Sequence, residues 1–196
     1  MIEDARVIPL ETQRLRLRRL QSSDAEPMTA LLQDPVIAQW TSALPWPYTF
    51  EDALAFIHRQ ADADREGTSF VWGIVEKRTD SLAGTIGLHD VERGTRRAAL
   101  GYWIGEAFRG RGYMTEAARR VLSWAFETAG FERVQATYFP GNDASAAVMR
   151  KIGMQPEGLL RGYVLKNGQY RDLYLQAVLR GDSTWMTTEA QGNVDG

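Results

Sequence analysis

A cationic, glycine-containing start to a helix constrains this chain more than any other feature. The segment RGRGYMTEAARRVLSWAF, residues 109–126, has apolar positions at helical spacing, and its first acidic residue is Glu116. Helix N-termini carry partial positive charge and usually have Asp or Glu in the first turn. Here the segment begins with Arg109, Gly110, Arg111 and Gly112. Glycine permits positive φ and close backbone approach, and the first N–H groups of a helix lack intrahelical partners. The pattern predicts a phosphate or pyrophosphate site, with a glycine-rich turn and solvated arginines as the alternative.

Two common phosphate motifs do not account for this segment. A Walker A loop needs G-x-x-x-x-G-K-[ST], which the chain lacks. A dinucleotide fingerprint needs G-x-G-x-x-G in a parallel βαβ unit, but the third glycine position is Thr115 and the preceding strands have an antiparallel pattern. Other segments of the sequence are therefore needed to identify the phosphate ligand.

Hydrophobic periodicity predicts a mixed α/β (α+β) fold around one mostly antiparallel sheet. Three strand-like runs separated by turn residues, SFVWGIVEK, SLAGTIGLHDV and AALGYWIG, predict a meander, and Asn167-Gly168 predicts a hairpin turn. Helical spacing with capping residues predicts helices over residues 22–34, 51–67, 112–129 and 142–153. The order is β-α-α-β-β-β-α-β-α-β-β, about seven strands and about four helices. We expect one domain over residues 1–196, with a core at about 8–180 and a polar tail at 181–196.

Composition and charge exclude several functional classes. The 196 residues have a net charge of −2, which gives no general affinity for nucleic acid. The chain has no cysteine and only His58 and His89, which argues against a thiol nucleophile and against any metal site. The N-terminus lacks the pattern of a signal peptide, and no run of 18 apolar residues exists. We therefore expect a cytoplasmic protein, a monomer or homodimer, with no membrane span.

The central segment YWIGEAFRGRGYMTEAARRVLSWAFE, followed by TYFPGNDASAAVMRKIGMQPEG, resembles the GNAT acetyltransferases. The match is nearest to their RimJ/RimL-type branch, whose known members acetylate the N-termini of ribosomal proteins. The segments ETQRLRLRRL, AGTIGLHD and YRDLYLQAVL are similar to that branch as well, so the resemblance covers roughly residues 8–180. It implies the GNAT fold and acetyl-CoA as cosubstrate.

By this resemblance, the loop Q/R-x-x-G-x-G/A that binds the coenzyme A pyrophosphate begins at Arg109. Its last position is Met114 in place of a small residue, so the Met114 side chain must point away from the ligand. The strand Tyr102–Ile104 would hydrogen-bond the pantetheine arm and separate from ERVQATYF to open a slot for the thioester, although sheet packing is the alternative for Trp103. The implied cofactor-binding residues are Tyr102, Trp103, Ile104, Arg109, Gly110, Arg111, Gly112, Tyr113, Met114, Thr115, Asn142, Ser145 and Lys151. Lys151 is alternatively a solvated residue.

The same resemblance indicates catalytic residues. The branch has an N-x-x-S pattern, here Asn142 and Ser145, and Ser145 would hydrogen-bond the sulfur or the pantetheine, with a helix-surface hydroxyl as the alternative. Many GNAT members have a Tyr seven residues after the Asn, where this chain has Met149, and the branch often has a Glu where this chain has Ala99. Asp172, on a strand expected to border the slot, is the remaining catalytic candidate, to hold a cationic amine or support the site.

Aromatic residues between the first two helices predict the acceptor side. Trp40, Trp46 and Tyr48 would form a rigid rim, or alternatively a hydrophobic cover over the core, and His89 lies near the expected entrance for the acceptor, where a structural role is the alternative. We expect an acetyl-CoA-dependent N-acetyltransferase that acts on a primary amine, either a protein N-terminal α-amine or a small molecule. The alternative class is a CoA-binding sensor module without turnover.

Overall fold

The computed structural model describes residues 5–42 and 44–185 of the chain. Within them, eight strands form one sheet: β1 Leu10–Glu11, β2 Leu15–Arg18, β3 Phe70–Glu76, β4 Ser81–Glu92, β5 Arg97–Ile104, β6 Arg133–Tyr138, β7 Gln155–Lys166 and β8 Gln169–Leu179. The α-helices of this part of the chain are α1 Ala25–Leu31, α2 Pro35–Trp40, α3 Phe50–Glu66, α4 Tyr113–Ser123 and α5 Asp143–Lys151. The predicted mixed fold is confirmed.

The sheet is antiparallel except at one pair of strands. Its order is β1-β2-β3-β4-β5-β6-β8-β7, so β3, β4 and β5 form the predicted meander. The parallel pair is β5 with β6, and its register runs only from Arg97 opposite Arg133 to Ala99 opposite Gln135. Beyond that point β5 keeps β4 as its neighbour while β6 continues against β8, so the two parallel strands separate.

Local signals fix the helix ends. The Thr49 side chain accepts from the Asp52 N–H and the Asp52 carboxylate accepts from the Thr49 N–H, a capping box that begins α3. The predicted glycine stop at Gly67 is confirmed by its left-handed φ of +69°. α4 continues as a π-helical turn, Trp124–Ala129, and ends at Gly130 with φ +79°. These ends agree with the helices that the sequence predicts.

Apolar residues pack on both faces of the sheet. One face carries α4 and α5, with a core around Phe70, Trp72 and Trp124, whose rings meet edge-to-face at 5.2 Å and 4.9 Å. Such aromatic pairs add about 0.5–1.5 kcal/mol each beyond the burial of their surface. The other face carries α1, α2 and α3 over a smaller core that includes Val75 and Leu82. The two helical layers therefore lie on opposite sides of the strands.

Three features differ from the sequence prediction. The two-residue β1 is an additional strand, since the sequence predicts about seven strands and the sheet has eight. α2 follows a cap that the prediction missed, in which the Asp34 carboxylate accepts from the Val36 N–H at 2.9 Å and Pro35 occupies the first turn. The predicted polar tail begins too early, because residues 183–185 form a helical turn and the Trp185 ring packs 5.0 Å from that of Phe126. Residues 186–196 of that tail lie outside the described residues. Of the helices described, none is long and apolar enough to cross a membrane.

Candidate active site

A cavity of about 950 Å³ lies where β5 and β6 separate, and it is lined from both faces of the sheet. Fifteen of the residues predicted for the site line it: Trp40, Tyr48, His89, Tyr102, Trp103, Ile104, Arg109, Gly110, Gly112, Tyr113, Met114, Thr115, Asn142, Ser145 and Lys151. Three predicted residues do not line it: Trp46, Arg111 and Asp172. The cavity thus brings the predicted cofactor loop, the slot and most of the acceptor rim into one continuous space.

The loop that leads into α4 has the backbone conformation an anion cradle requires. Gly110 and Gly112 have φ of +72° and +77°, and a Cβ at Gly110 would meet nothing within 4 Å. The first helical hydrogen bond of α4 runs from the Glu116 N–H to the Gly112 carbonyl at 3.1 Å. The N–H groups of residues 113–115 precede that bond and have no acceptor within the helix. Three peptide donors and the positive end of the helix dipole therefore meet at the cavity wall.

The side chains of this turn point away from the cradle. Met114 is 6% exposed and belongs to the main core, as the prediction for a bulky residue at this position requires. Tyr113 is also buried, and its hydroxyl donates to the Glu76 carboxylate at 2.5 Å. The cavity wall is therefore formed here by the peptide backbone.

Both arginines of the loop have carboxylate partners. Arg109 forms an ion pair with Asp34, the residue that caps α2. Arg111 lies 3.4 Å from the Glu76 carboxylate, and its carbonyl accepts from the Arg14 guanidinium at 2.8 Å. These contacts fix the course of the loop, and only Arg109 of the two also reaches the cavity.

Glu76 supports the loop before α4, and the sequence analysis missed it. Its side chain is 3% exposed, and it accepts from the Thr79 hydroxyl at 2.5 Å as well as from Tyr113. The hydrogen bonds from Thr79 and Tyr113 lower the pKa of Glu76 below its ordinary value, with smaller contributions from Arg78 and Arg111. Glu76 is the last residue of β3, so an ionised carboxylate at the end of this strand holds the start of α4 in place.

The edge of β5 and the start of α5 meet across the slot. Ser145 lies in the first turn of α5, where the Asn142 side chain caps the helix by accepting from the Ser145 N–H at 3.1 Å. The Tyr102 hydroxyl lies 2.9 Å from Ser145 Oγ. Burial raises the pKa of Tyr102 to about 12, opposed by the hydrogen bond with Ser145. The pair is therefore two protonated hydroxyls beside the opening between β5 and β6.

The acceptor side is built on the face that carries α1, α2 and α3. Trp40 and Tyr48 line the cavity there, but Trp46 is 52% exposed and lies outside it, so the predicted rim is only partly assembled. Trp103 packs against the smaller core, which is the alternative given for it above, and it also reaches the cavity. His89 lies on this side too, with its Nδ1 3.0 Å from the Ser69 hydroxyl.

Lys166, another residue that the sequence analysis missed, fixes the rim. Its ammonium donates to the carbonyls of Ala38 at 2.5 Å and Gln39 at 3.0 Å, and also to that of Thr41. These are the carbonyls at the C-terminal end of α2, where a cation complements the helix dipole. The tip of the β7–β8 hairpin thereby holds α2 against the cavity.

Asp172 has a structural contact instead of a position on the cavity. It lies on β8, and its carboxylate accepts from the Gly162 N–H at 2.7 Å. Gly162 falls in the irregular stretch of β7 between Leu160 and Val164, and its φ is +57°. The prediction placed Asp172 on the right strand, but its contact supports the bulge of the neighbouring strand.

Within residues 5–42 and 44–185, no three His, Asp or Glu side chains come together as a metal site requires.

Comparison with known proteins shows the family to which the chain is similar. The family model described as Acetyltransferase (GNAT) domain matches residues 14–155. YoaA of Bacillus subtilis (strain 168), named as an uncharacterized N-acetyltransferase, is 33% identical over 87% of this chain and 96% of that protein. The ribosomal protein uS5-alanine N-acetyltransferase of Escherichia coli (strain K12) is 31% identical over 61% of this chain and 62% of that protein. The structure of Mycobacterium smegmatis RimJ in complex with CoA-disulfide aligns with a TM-score of 0.79 at 25% identity, over 88% of this chain and 86% of that chain.

Proposed function

This chain belongs to the GNAT acetyltransferase family, and from that premise we propose that it transfers the acetyl group of acetyl-CoA to the α-amine of a protein N-terminus. That it is an N-acetyltransferase follows from the family match and from relatives that carry this activity in their names. The α-amine acceptor rests on the similarity to the uS5-alanine enzyme. A cytoplasmic location, where new N-termini emerge from ribosomes, follows from that acceptor.

The observation that carries this proposal is the cavity that passes between β5 and β6. Its α4–α5 side has the peptide cradle, and its α1–α3 side has an apolar rim with Trp40 and Tyr48. A phosphate-containing cosubstrate and an amine can therefore approach the same gap from opposite faces of the sheet. Transfer by direct attack needs such an arrangement, because both reactants must be held together in one site.

The residues on the cosubstrate side have distinct tasks in this proposal. The N–H groups of residues 113–115 bind the pyrophosphate, and Arg109 supplies a cation beside it. From Leu100 to Ile104, β5 pairs with β4 alone, so its other edge can bond the amides of the pantetheine arm. At the end of the arm, the Ser145 hydroxyl donates to the departing sulfur, and Tyr102 orients that hydroxyl.

A direct test measures coenzyme A release with purified protein, acetyl-CoA and a panel of amines. The panel contains peptides that begin with Ala or Ser, the same peptides with a blocked α-amine, and small primary amines. We expect turnover with the free peptides alone, with the added acetyl group located at the N-terminus by mass spectrometry. Turnover with small amines alone would replace the acceptor, and acetyl-CoA binding without turnover across the panel would favour a CoA-binding sensor.

A further inference from the structure

His89 is held in one orientation by a chain of hydrogen bonds on the acceptor side. The Ser69 hydroxyl donates to Gln60 Oε1 at 3.0 Å, which uses its single proton. The contact of 3.0 Å between Ser69 Oγ and His89 Nδ1 therefore favours the tautomer in which Nδ1 carries a proton and donates it. In a neutral imidazole the other nitrogen, Nε2, is then an unprotonated acceptor.

The ring lies where the slot opens. His89 faces Ala99 across the β4–β5 ladder, at the last pair before β5 and β6 separate. A Cβ at Gly101 would come within 3.3 Å of His89 Nε2 and 3.1 Å of its Cδ2, so the ring covers the glycine next to Tyr102. His89 is also part of the cavity wall. The small side chain of Ala99 and the absent side chain of Gly101 leave room for the imidazole on the strand edge.

The imidazole and the Tyr102–Ser145 hydroxyls approach the gap from opposite faces of the sheet. Tyr102 packs against the core that contains α4, whereas Trp103 packs against the core that contains α1–α3. Gly101 shares the face of Trp103 because side chains alternate along a strand. The ring over Gly101 therefore belongs to the acceptor side, where an attacking amine would arrive.

We propose that His89 is the general base of the transfer reaction, accepting the proton of the attacking amine at Nε2, with Ser69 and Gln60 fixing its tautomer. This proposal rests on the proposed function. The amine nitrogen forms a bond to the thioester carbon and loses a proton to His89, and the electron pair of the broken C–S bond leaves on the sulfur. The thiolate accepts a hydrogen bond from the Ser145 hydroxyl and is protonated from solvent, to which His89 releases the proton that it took from the amine.

Burial and the neighbouring charges together set the protonation state of His89. Burial lowers the pKa of His89 below its ordinary value, opposed by the neighbouring carboxylate of Asp90. The groups that contact this chain of hydrogen bonds from α3 and from the residue before β3, Gln60 and Ser69, are neutral. On the cavity wall, α3 also contributes Arg59 and Asp52, one charge of each sign. His89 is therefore unprotonated near neutral pH and loses its function as a base when the pH falls through its pKa.

The test removes the proposed base nitrogen, Nε2, and keeps a hydrogen-bond donor at the position of Nδ1. In His89→Asn the amide N–H can still donate to Ser69, but the acceptor at the Nε2 position is lost. We expect kcat to fall by about 100-fold or more, the usual contribution of a positioned base, while acetyl-CoA affinity is unchanged. The acidic limb of the pH profile of kcat/KM should disappear with it. His58→Asn is the matched control, because His58 is the other histidine and is exposed on α3.

A second measurement reads the histidine itself. In His58→Asn protein, His89 is the single imidazole, so its NMR titration is free of overlap. We expect the Nδ1–H tautomer and a pKa below 6.5 that matches the acidic limb of the kinetic profile. An Nε2–H tautomer, or a His89→Asn variant with the wild-type rate and acidic limb, would overturn the base assignment alone. Acetyl-CoA binding without turnover in the wild-type protein would instead overturn the proposed function, and the base with it.

Discussion

Gly112 offers a sharp test of the peptide cradle, because a matched glycine ends the same helical segment. Gly112 precedes α4 with φ +77°, and Gly130 follows its π-helical turn with φ +79°. A Cβ at Gly112 would meet only Arg14 Nη2, at 3.4 Å, and a Cβ at Gly130 would meet nothing within 4 Å. The Gly112→Ala and Gly130→Ala variants thus have the same backbone strain and little steric crowding, but only the first is at the cavity.

The magnitudes separate stability from binding. Holding an L-residue in the left-handed region costs about 1–2 kcal/mol, and this cost should lower the free energy of unfolding in both variants. Gly112 lines the cavity, so its added methyl group crowds the approach of the phosphate to the backbone, and any relief of the strain also rotates the peptide planes and turns the N–H groups of Tyr113 and Met114 away. A hydrogen bond to a charged group contributes about 1.5–3 kcal/mol, so each one lost should raise the Kd for acetyl-CoA by about 10- to 150-fold.

Isothermal titration calorimetry with acetyl-CoA gives the Kd, and chemical unfolding gives the stability of each variant. We expect similar losses of stability in both variants, with weakened binding confined to Gly112→Ala. Equal acetyl-CoA affinity in the two variants would show that the start of α4 does not bind the phosphates. That outcome would refute the peptide cradle, because the two variants have the same backbone strain and only a role in binding would make their affinities differ.

Three further substitutions test the residues that support the site. Glu76→Gln should weaken acetyl-CoA binding by loosening Tyr113. Because the pKa of Glu76 is lowered in the folded protein, the wild type should also lose the stability that it gains from this group as the pH falls from about 4.5 through that lowered value. Thermal unfolding should show a smaller loss of stability in the variant. Tyr102→Phe should leave the Kd for acetyl-CoA unchanged and lower kcat by about 2- to 10-fold, the value of one hydrogen bond to Ser145, and an unchanged kcat would remove Tyr102 from the mechanism. Lys166→Met should raise KM for the peptide without altering acetyl-CoA affinity, because the rim alone is released; a parallel loss of acetyl-CoA affinity would contradict this separation.

Local sequence signals predicted the elements whose ends are encoded by one or two residues. Gly67 ends α3, Asn142 caps α5, and Asn167-Gly168 forms the hairpin turn with φ of +51° and +75°. Each of these residues acts through its own backbone preference or a side chain within three residues. Contacts this short depend only on neighbouring residues, so hydrophobic periodicity and turn residues were sufficient to predict these ends.

The polar partners of the site were beyond such reasoning. Arg109 pairs with Asp34 across 75 residues, and Tyr113 donates to Glu76 across 37. No spacing rule connects these positions, because the pairs form only when the sheet brings β3, α2 and α4 together. Asp172 shows the same limit, since its strand was predicted but the bulge of β7, which uses its carboxylate, was not.

The parallel pair of strands explains why slot and cradle occur together. A parallel connection has to cross over the sheet, and here the crossing element is α4, which joins the end of β5 to the start of β6. The N-terminus of α4 must therefore lie at the carboxyl end of β5. That is also the end where β5 has lost β6 as a partner, since their pairing stops at Ala99 and Gln135. An anion site and an unpaired strand edge thus arise at one place from one topological feature, which is the position where open α/β sheets bind phosphate-containing ligands.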